Sequence, residues 1–211
     1  MSEQKRADVL ERVYGATTQQ DLEKAYDDWA EQYDSDLFKF GYLFPSVAAG
    51  YVARHVPPNA KLVDAGAGTG LMGRILVAMD YPDITAFDLS QGMLDVASRT
   101  GAYTRLDRQV LGEPLKYETD EFDACVCVGT FTEGHAPTSG YDEIARIVKP
   151  GGYFIVTIRE DVYLGSGFKD KEQEMEKAGT MKLIDRSQQF RPFTEAEPNI
   201  VGHVYVYQFA K

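Results

Sequence analysis

Two cysteines, three histidines and one tryptophan are all that the 211 residues hold of those types. Cys125 and Cys127 stand two apart in "FDACVCVGTF". In a strand that spacing puts both thiols on one face, not in a loop able to close around a metal. With no second cysteine pair and so few histidines, no metal site is expected, and the pair reads as small buried hydrophobes. Basic residues are also scarce: 22 Lys and Arg stand against 33 Asp and Glu, a net charge of −11. A field of that sign repels polyanions, so no nucleic acid is expected as a partner. No apolar run approaches the ~20 residues that span a bilayer, so no membrane partner is expected either. The N-terminus "MSEQKRADVLERV" lacks the apolar core of a secretory signal. The expected setting is cytoplasmic and the expected partner a small molecule, while the oligomeric state stays open.

The chain does hold an ordinary globular composition, with 44% hydrophobic and 12% aromatic residues. "TTQQDLEKAYDDWAEQYD" offers Thr18 as a helix N-cap and Asp21 in the first turn. Leu22, Tyr26, Trp29 and Tyr33 then follow at helical spacing. A second helix begins near Pro45 and ends at "PPN" (57–59). From Lys61 strands and helices alternate. Strands read at "KLVDA", "DITAFD", "AYTRLD", "FDACVCVG" and "GYFIVTI"; helices read at "LMGRILVAM", "QGMLDVASR" and "GYDEIARIV". This alternation argues for a parallel sheet with helices on both faces. The tail breaks it: a charged helix, "FKDKEQEMEKAG", precedes two successive strands, "MKLIDRSQQFR" and "GHVYVYQFA", which imply an antiparallel pair at a sheet edge.

The stretch "LVDAGAGTGLMG" (62–73) joins the first strand to a helix. Gly68 to Gly73 fit G-x-G-x-x-G, and Asp88 stands where a dinucleotide fold places its ribose-binding carboxylate. The position of Asp64 at the strand tip counts against a pyrophosphate there. Unit charges 4 Å apart interact by about 4 kcal/mol at an effective dielectric near 20, repulsive for a phosphate and attractive for a cation.

"VDAGAGTG", "FDLSQGML", "EFDACVCVGTF" and "RIVKPGGYFIV", in that order, resemble the class I S-adenosylmethionine (SAM)-dependent methyltransferases. "YDDWAEQYD", "GTFTEGH" and "VYVYQFAK" further resemble the small methyltransferase-like proteins named after the Williams–Beuren region. The resemblance implies an α/β fold: a Rossmann-like seven-stranded, mostly parallel sheet with an antiparallel edge hairpin and helices on both faces. Residues 1–45 would be an N-terminal helical cap and 46–211 the SAM-binding domain. It implies that Asp64 holds the methionyl amino group and that Gly66, Gly68, Thr69 and Gly70 form the cofactor loop. Asp88 would take the ribose hydroxyls, with Leu89 and Met93 beside the adenosine; for Asp88 a plain turn or capping role shared with Ser90 stays open. Val110 stands where the family usually has an acidic or amide adenine reader, so Gln109 beside it, or a backbone group, takes that part. Val128 borders the cofactor. Trp29 and Tyr33 fold over it or pack in the core, and "KPGG" (149–152) is a structural turn.

The resemblance further implies a methyl transfer to O, S or N of a small acceptor, with S-adenosylhomocysteine (SAH) as product. The loop "TFTEGHAPTSG" borders the methyl group, making His135 the catalytic candidate and Glu133 the alternative, against a mere capping or solvent-facing His135. Arg159 and Tyr163 are assigned to one rim, where they bind an acidic group of the substrate. The run "FKFGYLFP" (38–45) is a lid or core. Two other readings stay open: a nicotinamide-dependent oxidoreductase and a non-catalytic SAM-binding module.

Overall fold

Near-unbroken apolar runs dictate the centre of the fold, because a strand covered on both faces has no solvent side to make polar. In the computed structural model, which describes residues 12, 13, 15–132, 134–197 and 199–210, these runs form one seven-stranded sheet. Its strands are β1 (Leu62–Ala65), β2 (Ile84–Asp88), β3 (Arg105–Arg108), β4 (Phe122–Cys127), β5 (Val148–Arg159), β6 (Met181–Arg186) and β7 (Gly202–Phe209). The order is β3-β2-β1-β4-β5-β7-β6. β1 to β5 pair in parallel, and β7 lies between β5 and β6, antiparallel to both.

Two helices precede the sheet, α1 (Gln19–Phe40) and α2 (Phe44–His55). Thr18 caps α1 by accepting the Asp21 N–H, and Gly41, at φ +67°, ends it in the left-handed region. Pro45 sits in the first turn of α2. Between strands run α3 (Leu71–Ala78), α4 (Gln91–Ser98), α5 (Gly140–Ile147), α6 (Glu160–Gly165) and α7 (Phe168–Lys177). Alternation along β4 divides the core. Ala124 and Val126 pack with Ala48 and Val52 of α2 and Leu76 of α3; Cys125 and Cys127 face Tyr141 and Ile144 of α5, and both thiols are wholly buried. A third cluster joins Leu22, Trp29, Leu37 and Phe40 of α1 to Phe193.

Several boundaries differ from the sequence reading. "KPGG" does not precede β5 but lies inside it. Phe122 pairs with Val148 and Ala124 with Tyr153, so residues 149–152 bulge out, with Gly151 at φ +80°. β3 is shifted, starting at Arg105 instead of residue 102, and β6 stops at Arg186. Beyond β6 the chain is held by single bridges, Phe190 to Gly202 at the start of β7 and Phe193 to Tyr42 at the α1–α2 junction. α6 was not read from the sequence; six residues are too few to show a helical period. The run 38–45 splits: Phe40 and Phe44 are buried, whereas Phe38 is 87% exposed.

Phe154 is fully buried among the rings of Phe131, Tyr141 and Tyr207. Phe154→Ala is expected to remove about 3–5 kcal/mol of stability, while Phe38→Ala stays within about 0.5 kcal/mol. Urea unfolding of the two variants checks this; equal losses would contradict the assigned core.

Candidate functional site

Strand order reverses between β1 and β4, and a crevice opens outside their carboxyl ends, where ligands sit in open α/β sheets. Gly66 leaves β1 at φ +71°, and a Cβ there would lie 2.2 Å from Thr130 Oγ1. Only glycine lets the ends of β1 and β4 approach this closely. Gly68, at φ +55°, has open space where its side chain would be, so the loop offers bare backbone to the crevice. Thr130 Oγ1 donates to Ala65 O and Gly66 O, at 3.2 and 3.3 Å.

The main cavity, of about 330 Å³, lies over this edge. Its floor is Gly66, Gly68 and Val128; its far wall is Asp88, Leu89, Met93, Gln109 and Val110. Asp88 is 8% exposed and accepts backbone N–H groups from Gly68 and Ser90, each at 2.9 Å. Burial pushes its carboxyl upward, against the pull of those hydrogen bonds. Ser90 caps α4 through the Met93 N–H, so Asp88 braces this turn as well as facing the cavity. Gln109 Oε1 accepts the Lys116 N–H at 2.6 Å, which fixes the amide. Its Nε2 is wholly buried and lies beside the Tyr117 phenol.

A smaller cavity, of about 30 Å³, lies under the glycine loop against Asp64, Thr69 and Tyr33. Asp64 is 1% exposed, and the Tyr103 hydroxyl donates to it at 2.7 Å. Burial lifts its carboxyl from 3.8 to about 7, with the Asp88 charge adding and Tyr103 opposing. This corrects the electrostatic argument from sequence, which took Asp64 as fully ionised. The carboxylate reaches full charge near neutral pH only if a cation approaches.

The roof is α1. A line of carboxylates on it holds the elements beneath: Glu23 pairs with Arg108 of β3, and Glu31 with Arg99 at the end of α4. Asp27 accepts from Ser90 Oγ at 2.5 Å and Gly92 N at 2.8 Å. The amino end of α4 favours such a negative charge. Asp34 accepts from Thr69 Oγ1 and Arg74 Nη1. Beside this line Tyr26 and Tyr33 look into the main cavity, and the Tyr26 hydroxyl meets His135 Nε2 at 2.8 Å. His135 therefore lines the cavity and is partly exposed.

Other assigned residues are not brought together there. Trp29 is 7% exposed, donates Nε1 to Asp36, and lines a second cavity of about 60 Å³. Gly70 is the N-cap of α3; a Cβ on it would meet Tyr103 at 3.1 Å. Arg159 borders the second cavity, but Tyr163 does not share that rim: α6 turns the chain and stacks its ring on Tyr205 in the core, centroids 4.8 Å apart. Glu133 lies outside the described residues. The sequence reading missed Tyr26 as the partner of His135, Asp27, Asp34 and Tyr103, whose partners lie 35 or more residues away in every case.

Residues 63–156 match the family model described as "Methyltransferase domain". Human methyltransferase-like protein 27 is 36% identical over 138 residues, which cover 64% of this chain and 56% of that protein. The chain thus spans little more than half the length of this curated relative. Among solved structures, the [4+2]-cyclase SpnF superposes with a TM-score of 0.72 at 16% identity, covering 92% of this chain and 98% of that one. The 1,6-didemethyltoxoflavin-N1-methyltransferase of Burkholderia thailandensis, solved with SAH, gives 0.64 at 16% identity, covering 100% and 92%. At these identities the structures show likeness of fold. A cyclase among them shows that the fold alone does not name the reaction.

The raised folded-state value of Asp64 means that the folded chain binds more protons than the unfolded one between about 4 and 7. Its contribution to stability therefore falls as pH rises through that window. Relative to wild type, Asp64→Asn gains stability from pH 4 to 7, by at most about 1.4 kcal/mol per pH unit. Urea midpoints across that range check it; a difference independent of pH would contradict the burial argument.

Proposed function

Because the chain belongs to the class I SAM-dependent methyltransferase superfamily, we propose that it moves a methyl group from SAM to O, S or N of a small-molecule acceptor. The observation that carries this reading is a pair of buried carboxylates, Asp64 and Asp88, at the tips of adjacent strands across one glycine loop. The residues present fit the cofactor group by group. A carboxylate has about four lone-pair sites. At Asp88 the N–H groups of Gly68, Ser90 and Leu89 approach the carboxylate, and the capacity that remains faces the ribose hydroxyls. Gln109 and Val110 form the far wall, where the Gln109 side chain or a backbone group reads the adenine. Leu89 and Met93 supply apolar surface beside the purine, and Asp64 faces the methionyl ammonium. SAM, when bound, supplies a methyl on a sulfonium that departs as a neutral thioether.

The chain's own part is alignment and proton handling, since holding two reactants in place removes much of the barrier. α1 shields the cavity from water, with Tyr26 and Tyr33 in its lining. His135 holds a proton at a ring nitrogen, with Tyr26 fixing its orientation through Nε2. For an acceptor that bears a proton, His135 is the residue to take it. Within the proposed division into a cap of residues 1–45 and a domain of 46–211, residues 1–11, 14, 133, 198 and 211 lie outside those described, and α1 is the part that covers the cavity. A cytoplasmic setting without nucleic-acid partners belongs to the same reading, supported by the net charge of −11 and the two unpaired buried cysteines.

Calorimetric titration with SAH is expected to show one site per chain, and Asp88→Ala to weaken it about tenfold or more. His135→Ala is expected to keep SAH affinity and lose about 10²–10⁴ in transfer rate with the true, proton-bearing acceptor. Binding of NADH without SAH would reverse the reading toward an oxidoreductase. SAH binding with an undiminished rate in His135→Ala would remove His135 from the chemistry.

A further inference from the structure

The second cavity meets the main one at the carboxyl end of β4, where Tyr26, Tyr33 and Gly129 line both. Its walls are aromatic: Trp29 and Tyr33 cross edge to face at 4.6 Å, Tyr42 stacks on Phe193 at 4.9 Å, and Phe44 closes the end. Three features of its lining are polar and unevenly placed. Thr132 Oγ1 is buried with no hydrogen-bond partner among the described residues. Thr157 Oγ1 accepts the Gly129 N–H at 2.9 Å. Arg159 is the one charged side chain among the described lining residues, and it is 15% exposed. The sheet places it there: Arg159 ends β5 paired with Gly202 of β7, two residues past Thr157 on the same face.

We propose that this cavity is the acceptor site and that the acceptor is a single-ring aromatic compound carrying a carboxylate. The proposal rests on the methyltransferase reading above. A volume of about 60 Å³ holds about four to six waters at about 10–15 Å³ each, and with the adjoining main cavity it leaves room for no more than a small ligand such as a single ring. Flat walls set edge to face and stacked suit a planar ring. An ammonium on the ligand would meet like charge at Arg159. A wholly apolar ligand would leave Thr132 and the guanidinium facing hydrocarbon. A carboxylate answers both, since the guanidinium fork matches its two oxygens and a hydroxyl can donate to it. Asp161 already takes the Nε–Nη2 edge of Arg159 at 3.1 and 2.6 Å, and Glu197 stands 3.8 Å from Nη1. Asp161 is 59% exposed, so its pair is weak in water, and a carboxylate enclosed by aromatic rings displaces it from the drier side.

Trp29 is the only tryptophan, so its fluorescence reports on this cavity. The full chain is titrated with benzoate, benzyl alcohol and benzylamine, with and without saturating SAH. Benzoate is expected to quench Trp29 and bind at least about tenfold more tightly than the other two. Arg159→Met is expected to bring the three to parity, and Thr132→Val to weaken benzoate alone. SAH affinity and melting temperature separate these effects from misfolding: both variants are expected to match wild type in each. Benzylamine or benzyl alcohol binding as tightly as benzoate overturns the proposal, as does benzoate preference surviving in Arg159→Met. Benzoate preference without SAH binding overturns the cofactor reading alone; SAH binding without benzoate preference overturns this proposal alone.

Discussion

The approach of β1 to β4 at Gly66 and Thr130 sets the dimensions on which the site depends. With no Cβ on Gly66, the Thr130 side chain occupies the space one would fill and its hydroxyl reaches the carbonyls of Ala65 and Gly66. The reversal of strand order would otherwise leave a broad gap. Instead the crevice is narrow, floored by backbone, and flanked by Asp64 on β1 and Asp88 on β2. Each carboxylate is buried by the same packing that positions it. That is why both are pushed toward their neutral forms and why a cation and a pair of hydroxyls suit them.

The roof is held differently. Glu23, Asp27, Glu31 and Asp34 give α1 a polar seat whose pairs touch water, and exposed pairs of this kind contribute about 0–1 kcal/mol each. Its apolar residues Leu22, Trp29, Leu37 and Phe40 are buried against Phe193 in a cluster separate from the two that enclose the sheet. α1 is thus seated by a small core of its own as well as by exposed pairs, while the sheet beneath is fixed by continuous burial. Asp34 on Thr69 and Asp27 at the start of α4 couple the roof to the glycine loop and to the turn after Asp88, the two segments that a ligand would touch first.

Much of this was legible in the chain because local chemistry decides it. The apolar runs of β1, β2 and β4, the Thr18 cap, Pro45 in a first turn and the glycine loop all declare themselves over a few residues. The two successive tail strands announced the antiparallel edge, although β7 inserts beside β5 and leaves β6 outermost. What stayed hidden depends on contacts between distant residues. Tyr103 reads as part of a strand, and nothing near it in sequence reveals that its hydroxyl holds Asp64, 39 positions earlier. Tyr163 reads as a neighbour of Arg159 until a six-residue helix turns it into the core. Gln109 is the instructive intermediate: the sequence offered it for adenine, and the structure places it on the cavity wall with its amide oxygen held by Lys116 N.

The central claim is that the two-carboxylate crevice under α1 is a SAM site closed by that helix. Hydrogen exchange with and without SAH tests it most directly. The account predicts slower exchange at the amides of residues 66–73 and of α1 from Tyr26 to Leu37, with the β5–β7 ladder unchanged. Binding of SAH that leaves both α1 and the glycine loop exchanging at their free rates would contradict it.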